Sequence, residues 1–206
     1  EVTAERANPV LLDDVTFHSC VQLGRFDADR SICFVPPDGE FVLMKYRSSE
    51  NVAPPFTVVS ARVKEVAKTR YEVDFHLKAD ISEKAVAQDI ICKVPCPSST
   101  ATVKVRVSHG KAKYDATQKA VVWKLKRMTN GQEIPFSCEI NLIQSTLQSA
   151  ERVWSRPPIC IEFKLGQVAV SGLQVTSLTV QEPKLGYKPQ RWVRYLSTAG
   201  QYQCRM

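Results

Sequence analysis

The sequence predicts an all-β protein folded as an antiparallel sandwich. Two observations carry that expectation. Apolar residues recur with period two in run after run, whereas helical periodicity hardly occurs, and clusters of Pro, Gly, Asn and Ser separate the runs at short intervals.

Along the chain, Asp13 and Asp14 precede the first strand-like stretch, "VTFHSCVQL", and read most simply as a turn. His18 within it has no partner in view and is read as structural. Breakers follow at "PPDG" (36–39) and "APP" (53–55). In "TRYEVDFHLKADI", Tyr71, Val73, Phe75, Leu77, Ala79 and Ile81 fall on one face, so this is a half-buried strand. Val103, Val105 and Val107 repeat the pattern, as do Val121, Trp123 and Leu125; Phe136, Cys138, Ile140 and Leu142; and Ile159, Ile161, Phe163 and Leu165. "PCPSS" (95–99), "TNGQ" (129–132) and "RPP" (156–158) punctuate them. Two stretches are able to form helix, "SEKAVAQ" (82–88) and "IQSTLQSAERVW" (143–154), the latter equally suited to a long loop.

With 206 residues, 44% hydrophobic and 24% charged, the chain can bury a full core in one elongated domain or two small ones. It opens on Glu1 without a leader pattern and reads as a piece of a longer protein. No window approaches the roughly eighteen apolar residues of a spanning helix, so any membrane contact is expected to be peripheral. Seven cysteines at wide, irregular spacing sit mostly among strand-like apolar residues, which suits small reduced hydrophobes in the cytosol. Cys92 and Cys96 flank Pro95, but His18, His76 and His109 do not complete a ligand set with them; neither a metal nor a cofactor is expected.

The excess of 28 Lys and Arg over 21 Asp and Glu is unevenly spread. Lys104, Arg106, Lys111, Lys113, Lys119, Lys124, Lys126 and Arg127 face one nearby acid, Asp115, and beyond Glu182 the chain carries Lys184, Lys188, Arg191, Arg194 and Arg205 without an acid. Such asymmetry points to phosphate groups on a lipid or nucleic acid, or to a merely solvated face. Residues 109–127 read as a hairpin turning at "DATQ", which gathers its lysines on one sheet surface, to which the preceding strand adds Lys104 and Arg106. Nucleic acid is disfavoured because no aromatic platform interleaves the lysines. No phosphate loop, nucleophile elbow or paired catalytic carboxylates stand out, so the protein is not read as an enzyme.

Five strings occur in an order and spacing that carry a resemblance: "LDDVTFHSCVQLGRFDADRSICFVPPDGEFVLMKYR" (12–47), "KAKY" with "VVWKLKR", "RPPI" (156–159), "SGLQV" (171–175), and "EPKLGY" followed by "RWVRY" and "GQYQCR". Together they closely resemble the mu homology domain of the medium subunits of heterotetrameric clathrin adaptor complexes. The chain is most similar to the plasma-membrane branch. The resemblance implies an elongated, immunoglobulin-like β-sandwich of two subdomains. Residues 1–55 with 165–206 form the outer one, and 56–164 the inserted one.

It further implies recognition of Tyr-x-x-Φ signals in the cytosolic tails of membrane cargo, Φ being a bulky apolar residue, by an extended peptide laid beside a late edge strand. Trp192 and Arg194 match residues of the tyrosine pocket, Val193 and Val175 match the Φ pocket, and Leu178 supports it. Lys111, Lys113, Tyr114, Lys124 and Lys126 match a phosphoinositide-binding patch, with Asp115 where a lysine is expected. Implied partners are the two large and one small adaptor subunits and a phosphoinositide-containing membrane. The implied place is the cytosolic face of plasma-membrane clathrin-coated pits, or else Golgi or endosomal membranes. Family members carry strands ahead of the position of Leu12 that complete the tyrosine pocket; only eleven residues stand there in this sequence, so the pocket is expected to be incomplete and apolar surface exposed. The alternative is an interaction domain of the complex without peptide binding.

Overall fold

A computed structural model describes residues 12–49, 53–143, 154–180, 186 and 190–206. The chain divides into two units, one of residues 1–52 with 171–173 and the other of residues 53–170 with 174–206.

In the first unit, β1 (Asp13–Phe17) pairs antiparallel with β2 (Met44–Arg47), and α1 (Leu23–Asp29) lies between them in sequence. Asp13 and Asp14 are strand residues rather than a preceding turn. Asp13 accepts a hydrogen bond from Ser49 Oγ at 2.7 Å, and Asp14 pairs with Arg47 at 3.4 Å. α1 escapes sequence reading because it is two turns long and buries a single residue, Phe26, whose ring meets Phe17 edge-on at 4.8 Å. His18 is structural: its Nδ1 accepts the Cys20 N–H at 3.2 Å and its ring packs edge-on to Phe41.

The second unit is a sandwich of two antiparallel sheets. One is ordered β3 (Phe56–Ala67), β4 (Arg70–Ala79), β9 (Glu133–Leu142), β6 (Thr100–Val107). The other is ordered β11 (Leu196–Cys204), β10 (Ile159–Gly166), β5 (Val86–Pro95), β8 (Ala120–Thr129), β7 (Lys111–Asp115). Register follows from the alternation: Val73, Phe75 and Leu77 lie opposite Cys138, Phe136 and Ile134, all buried, and Cys92 lies between Trp123 and Ile161, also buried. A one-residue slip in either pair turns these side chains to water, at about 1.5–3 kcal/mol for each large one. Phe75 stacks on Phe136 at 4.8 Å, and Trp123, wholly buried, lies 5.3 Å from Phe136 and donates its Nε1–H to the His109 carbonyl at 2.9 Å. Burial raises the thiol pKa of Cys92 and Cys138, and that of Cys96 to about 11, so these cysteines pack as neutral hydrophobes.

The helix-capable stretch 82–88 does not form one. Ser82 accepts the Ala85 N–H at 2.9 Å in a tight turn, and β5 starts at Val86. Strand neighbours on both sides win, since they bury Ala87, Ile90, Cys92 and Val94 together. Of the second helix-capable stretch, residues 144–153 lie outside the described residues. The expected subdomain boundary at 55/56 coincides with the start of β3, whereas that at 164/165 falls inside β10, and β11 is hydrogen-bonded along β10.

Candidate functional site

The connection between β6 and β7 carries the chain from one sheet to the other, and this decides which basic residues share a surface. β6 pairs with β9, so Lys104 lies opposite Glu139, itself opposite Glu72, and Arg106 opposite Ser137, itself opposite Asp74. Lys104 and Arg106 thus belong to a charge-balanced ladder on the β3–β4–β9–β6 sheet and are not part of the lysine surface that the hairpin reading expects.

On the other sheet, Lys111 and Lys124 are direct partners across β7 and β8, with Lys113 opposite Val122. Lys126 is exposed on the same face as Lys124, since Leu125 between them is buried. Gly110 permits this approach of strands: its φ is +77°, and a Cβ there collides with the Lys124 carbonyl oxygen. Two carboxylates of this surface are taken, Glu162 by Lys93 at 2.6 Å and Asp89 by Lys164 at 2.8 Å. Among the described residues, Lys111, Lys113, Lys124, Lys126 and Arg127 form no ion pair. Lysines facing one another across strands repel, a cost that a bound anion reverses.

Tyr114 does not join them. It pairs with buried Val121, packs against the core, and burial raises the pKa of its phenol. Asp115 is a turn-former: its carboxylate accepts the Thr117 N–H at 2.9 Å, Thr117 Oγ1 at 2.6 Å and Gln118 Nε2 at 2.8 Å. Those bonds lower its pKa to about 2. Bordering the lysines is a cavity of about 1030 Å³ with walls that include Ile91, Leu125, Ile134, Phe163 and Ala199. Nothing in the sequence announces it, since its walls come from six strands and depend on register.

The expected peptide-contact residues lie on two segments strapped together by side chains. Tyr195 Oη accepts the Val175 N–H at 2.8 Å, and an Arg191 guanidinium N–H donates to the Leu178 carbonyl at 2.6 Å. Ser197 extends the strap, accepting from the Val170 N–H at 3.1 Å and donating to the Val168 carbonyl at 2.9 Å. Val175, Leu178, Trp192 and Val193 are exposed, Trp192 to 77%, and Arg194 is exposed beside them. Residues 191–195 carry no strand; β11 starts at Leu196, two residues beyond Arg194. An exposed indole next to a guanidinium offers a phenol both an apolar wall and a donor. Arg191 and Tyr195 were not singled out as site residues by sequence reading, although they flank Trp192–Arg194; that they tie this stretch to 175–178 is a fact of tertiary structure.

The adaptor complexes medium subunit family matches residues 3–206. The chain belongs to that family. Among relatives of this medium-subunit chain, the AP-2 complex subunit mu of Dictyostelium discoideum is 42% identical over 98% of the chain and 46% of its own length. The AP-1 complex subunit mu-2 of Mus musculus is 37% identical over 100% of the chain and 48% of its own length. The medium-subunit chain therefore spans about half the length of the curated relatives it matches. The mu homology domain of Danio rerio Fcho1, solved with a bound peptide, shares the fold at a TM-score of 0.52, 10% identity, and 94% and 69% coverage of this chain and that one.

Proposed function

We propose that this chain is the cargo-recognition part of a clathrin adaptor's medium subunit, reading Tyr-x-x-Φ signals and touching a phosphoinositide-containing membrane. Membership in the medium subunit family supports a non-enzymatic role alongside two large and one small adaptor subunits on cytosolic clathrin-coated membranes. Identity of 42% and 40% to AP-2 mu subunits supports the plasma membrane as the place.

The observation that carries the peptide reading is the strap: Arg191 and Tyr195 hold the Val175–Leu178 backbone beside Trp192, Val193 and Arg194. A peptide laid along residues 192–194 then meets the tyrosine-pocket and Φ-pocket candidates together. Lys111, Lys113, Lys124 and Lys126, which form no ion pair among the described residues, support the membrane contact, each worth about 1 kcal/mol near an anionic surface.

Calorimetry of a Tyr-x-x-Φ peptide against the full-length subunit tests the first part. Heat that disappears with Trp192→Ala is expected; no heat with the unaltered subunit leaves an interaction domain without peptide binding.

A further inference from the structure

The lysine face and the cavity beside it have opposite chemistry, and that combination selects a ligand. Lys111, Lys124, Lys126, Arg127 and Lys164 line the cavity together with the carboxylates of Asp89 and Glu162, while the rest of its lining is predominantly apolar. Asp89 is engaged by Lys164 and Glu162 by Lys93, which leaves four lining cations without an ion pair among the described residues. A volume of about 1030 Å³ exceeds what a headgroup contact at the surface needs and lies at the upper end of the roughly 300–1,000 Å³ of small-ligand sites.

We propose that this cavity receives a bulky apolar side chain of an acidic peptide, whose carboxylates lie on the surrounding cations, so that peptide and anionic membrane compete for the same lysines. The proposal rests on the reading of this face as an anion-binding surface. What separates peptide from lipid is the origin of the apolar group. A Phe or Leu side chain arriving from water gains about tenfold or more in affinity on burial. An acyl chain already in hydrocarbon gains no comparable transfer energy, because lipid tails are as apolar as a Leu side chain. Charge complementarity then requires acidic neighbours on the peptide, since Lys111 and Lys124 face each other and, among the described residues, form no ion pair. Thr198, Ala199 and Gly200 of β11 form one wall, and Thr198 is exposed, so the opening can be narrowed there without touching a cation.

The test uses the full-length subunit and a fluorescein-labelled heptapeptide with one Phe between two Asp-Glu-Asp triplets, read by anisotropy beside a Phe-to-Ser control peptide. The expected result is at least tenfold tighter binding of the Phe peptide, its displacement by phosphoinositide vesicles, and loss of both peptide and vesicle binding with Lys124→Glu plus Lys126→Glu. Thr198→Trp, or the gentler Ala199→Leu, should remove the preference for Phe while leaving vesicle flotation unchanged. Equal binding of the two peptides overturns the proposal even where vesicles still bind, and flotation lost with Thr198→Trp overturns it in favour of a lipid chain in the cavity. Peptide and vesicle binding both unchanged by the lysine substitutions removes the anion-surface reading itself.

Discussion

The phenolic oxygen of Tyr195 accepts the backbone N–H of Val175 at 2.8 Å, across twenty positions of sequence. With Arg191 donating to the Leu178 carbonyl, one face of the proposed peptide groove is organised by two side chains that need not touch cargo. Tyr195→Phe should weaken Tyr-x-x-Φ binding several-fold in calorimetry while changing unfolding free energy by less than about 0.5 kcal/mol, as is usual for exposed sites. Unchanged affinity would show that the strap does not position the Φ pocket.

Gly110 joins a left-handed backbone to a position with no room for Cβ beside Lys124. Gly110→Ala is expected to cost about 1–3 kcal/mol in chemical denaturation. Since the Lys111–Lys124 pair is set by that approach, vesicle flotation should fall with it.

Membrane contact should separate by sheet. Lys111→Glu with Lys113→Glu should lower flotation on phosphoinositide vesicles, whereas Lys104→Glu, in the charge ladder of the opposite sheet, should leave it unchanged. Tyr114→Phe should also leave it unchanged, because the ring faces the core.

Asp115 supplies a pH dependence of definite sign. Its folded pKa of about 2 lies below the ordinary value of 3.8, so its contribution is fully present above about pH 4 and is lost as pH falls through about 2. Replacing Thr117 and Gln118 by Ala removes the donors, and an NMR titration of the Asp115 carboxyl should then move up toward the ordinary value. A titration that stays near 2 contradicts the turn assignment.

Tyr202 reaches from β11 across to β3, donating its hydroxyl to the Phe56 carbonyl at 2.5 Å, and burial helps raise its pKa to about 12. Tyr202→Phe should cost about 1–2 kcal/mol in denaturant midpoint analysis, because the carbonyl loses its hydroxyl donor and keeps the weaker contact from Cys204 Sγ at 3.8 Å. The raised pKa adds an alkaline limit: this contribution is present below about pH 10 and is lost as pH rises through about 12.

The central strands were legible because period-two alternation and burial coincide in them, as Val73, Phe75 and Leu77 show. β3 was not, since irregular register between Val59 and Arg62 breaks its alternation, and β5 was masked by helix-favouring Lys, Ala and Gln at its start. Of the lysine surface, Lys111, Lys113, Lys124 and Lys126 could be read from spacing within one hairpin. The exclusion of Lys104 and Arg106 and the presence of Lys93 and Lys164 could not, because both follow from which sheet a strand joins. The candidate peptide-contact residues came through family resemblance; Trp192 is 77% exposed and belongs to no strand, so local pattern alone gives it no role.

The most direct test of the cargo reading is a calorimetric double-mutant cycle on the full-length subunit, pairing Arg194→Ala with replacement of the signal's Tyr by Phe. If the guanidinium serves the tyrosine hydroxyl, the two losses are non-additive, with a coupling of about 1 kcal/mol or more. Strictly additive losses would contradict it and detach Arg194 from the tyrosine pocket.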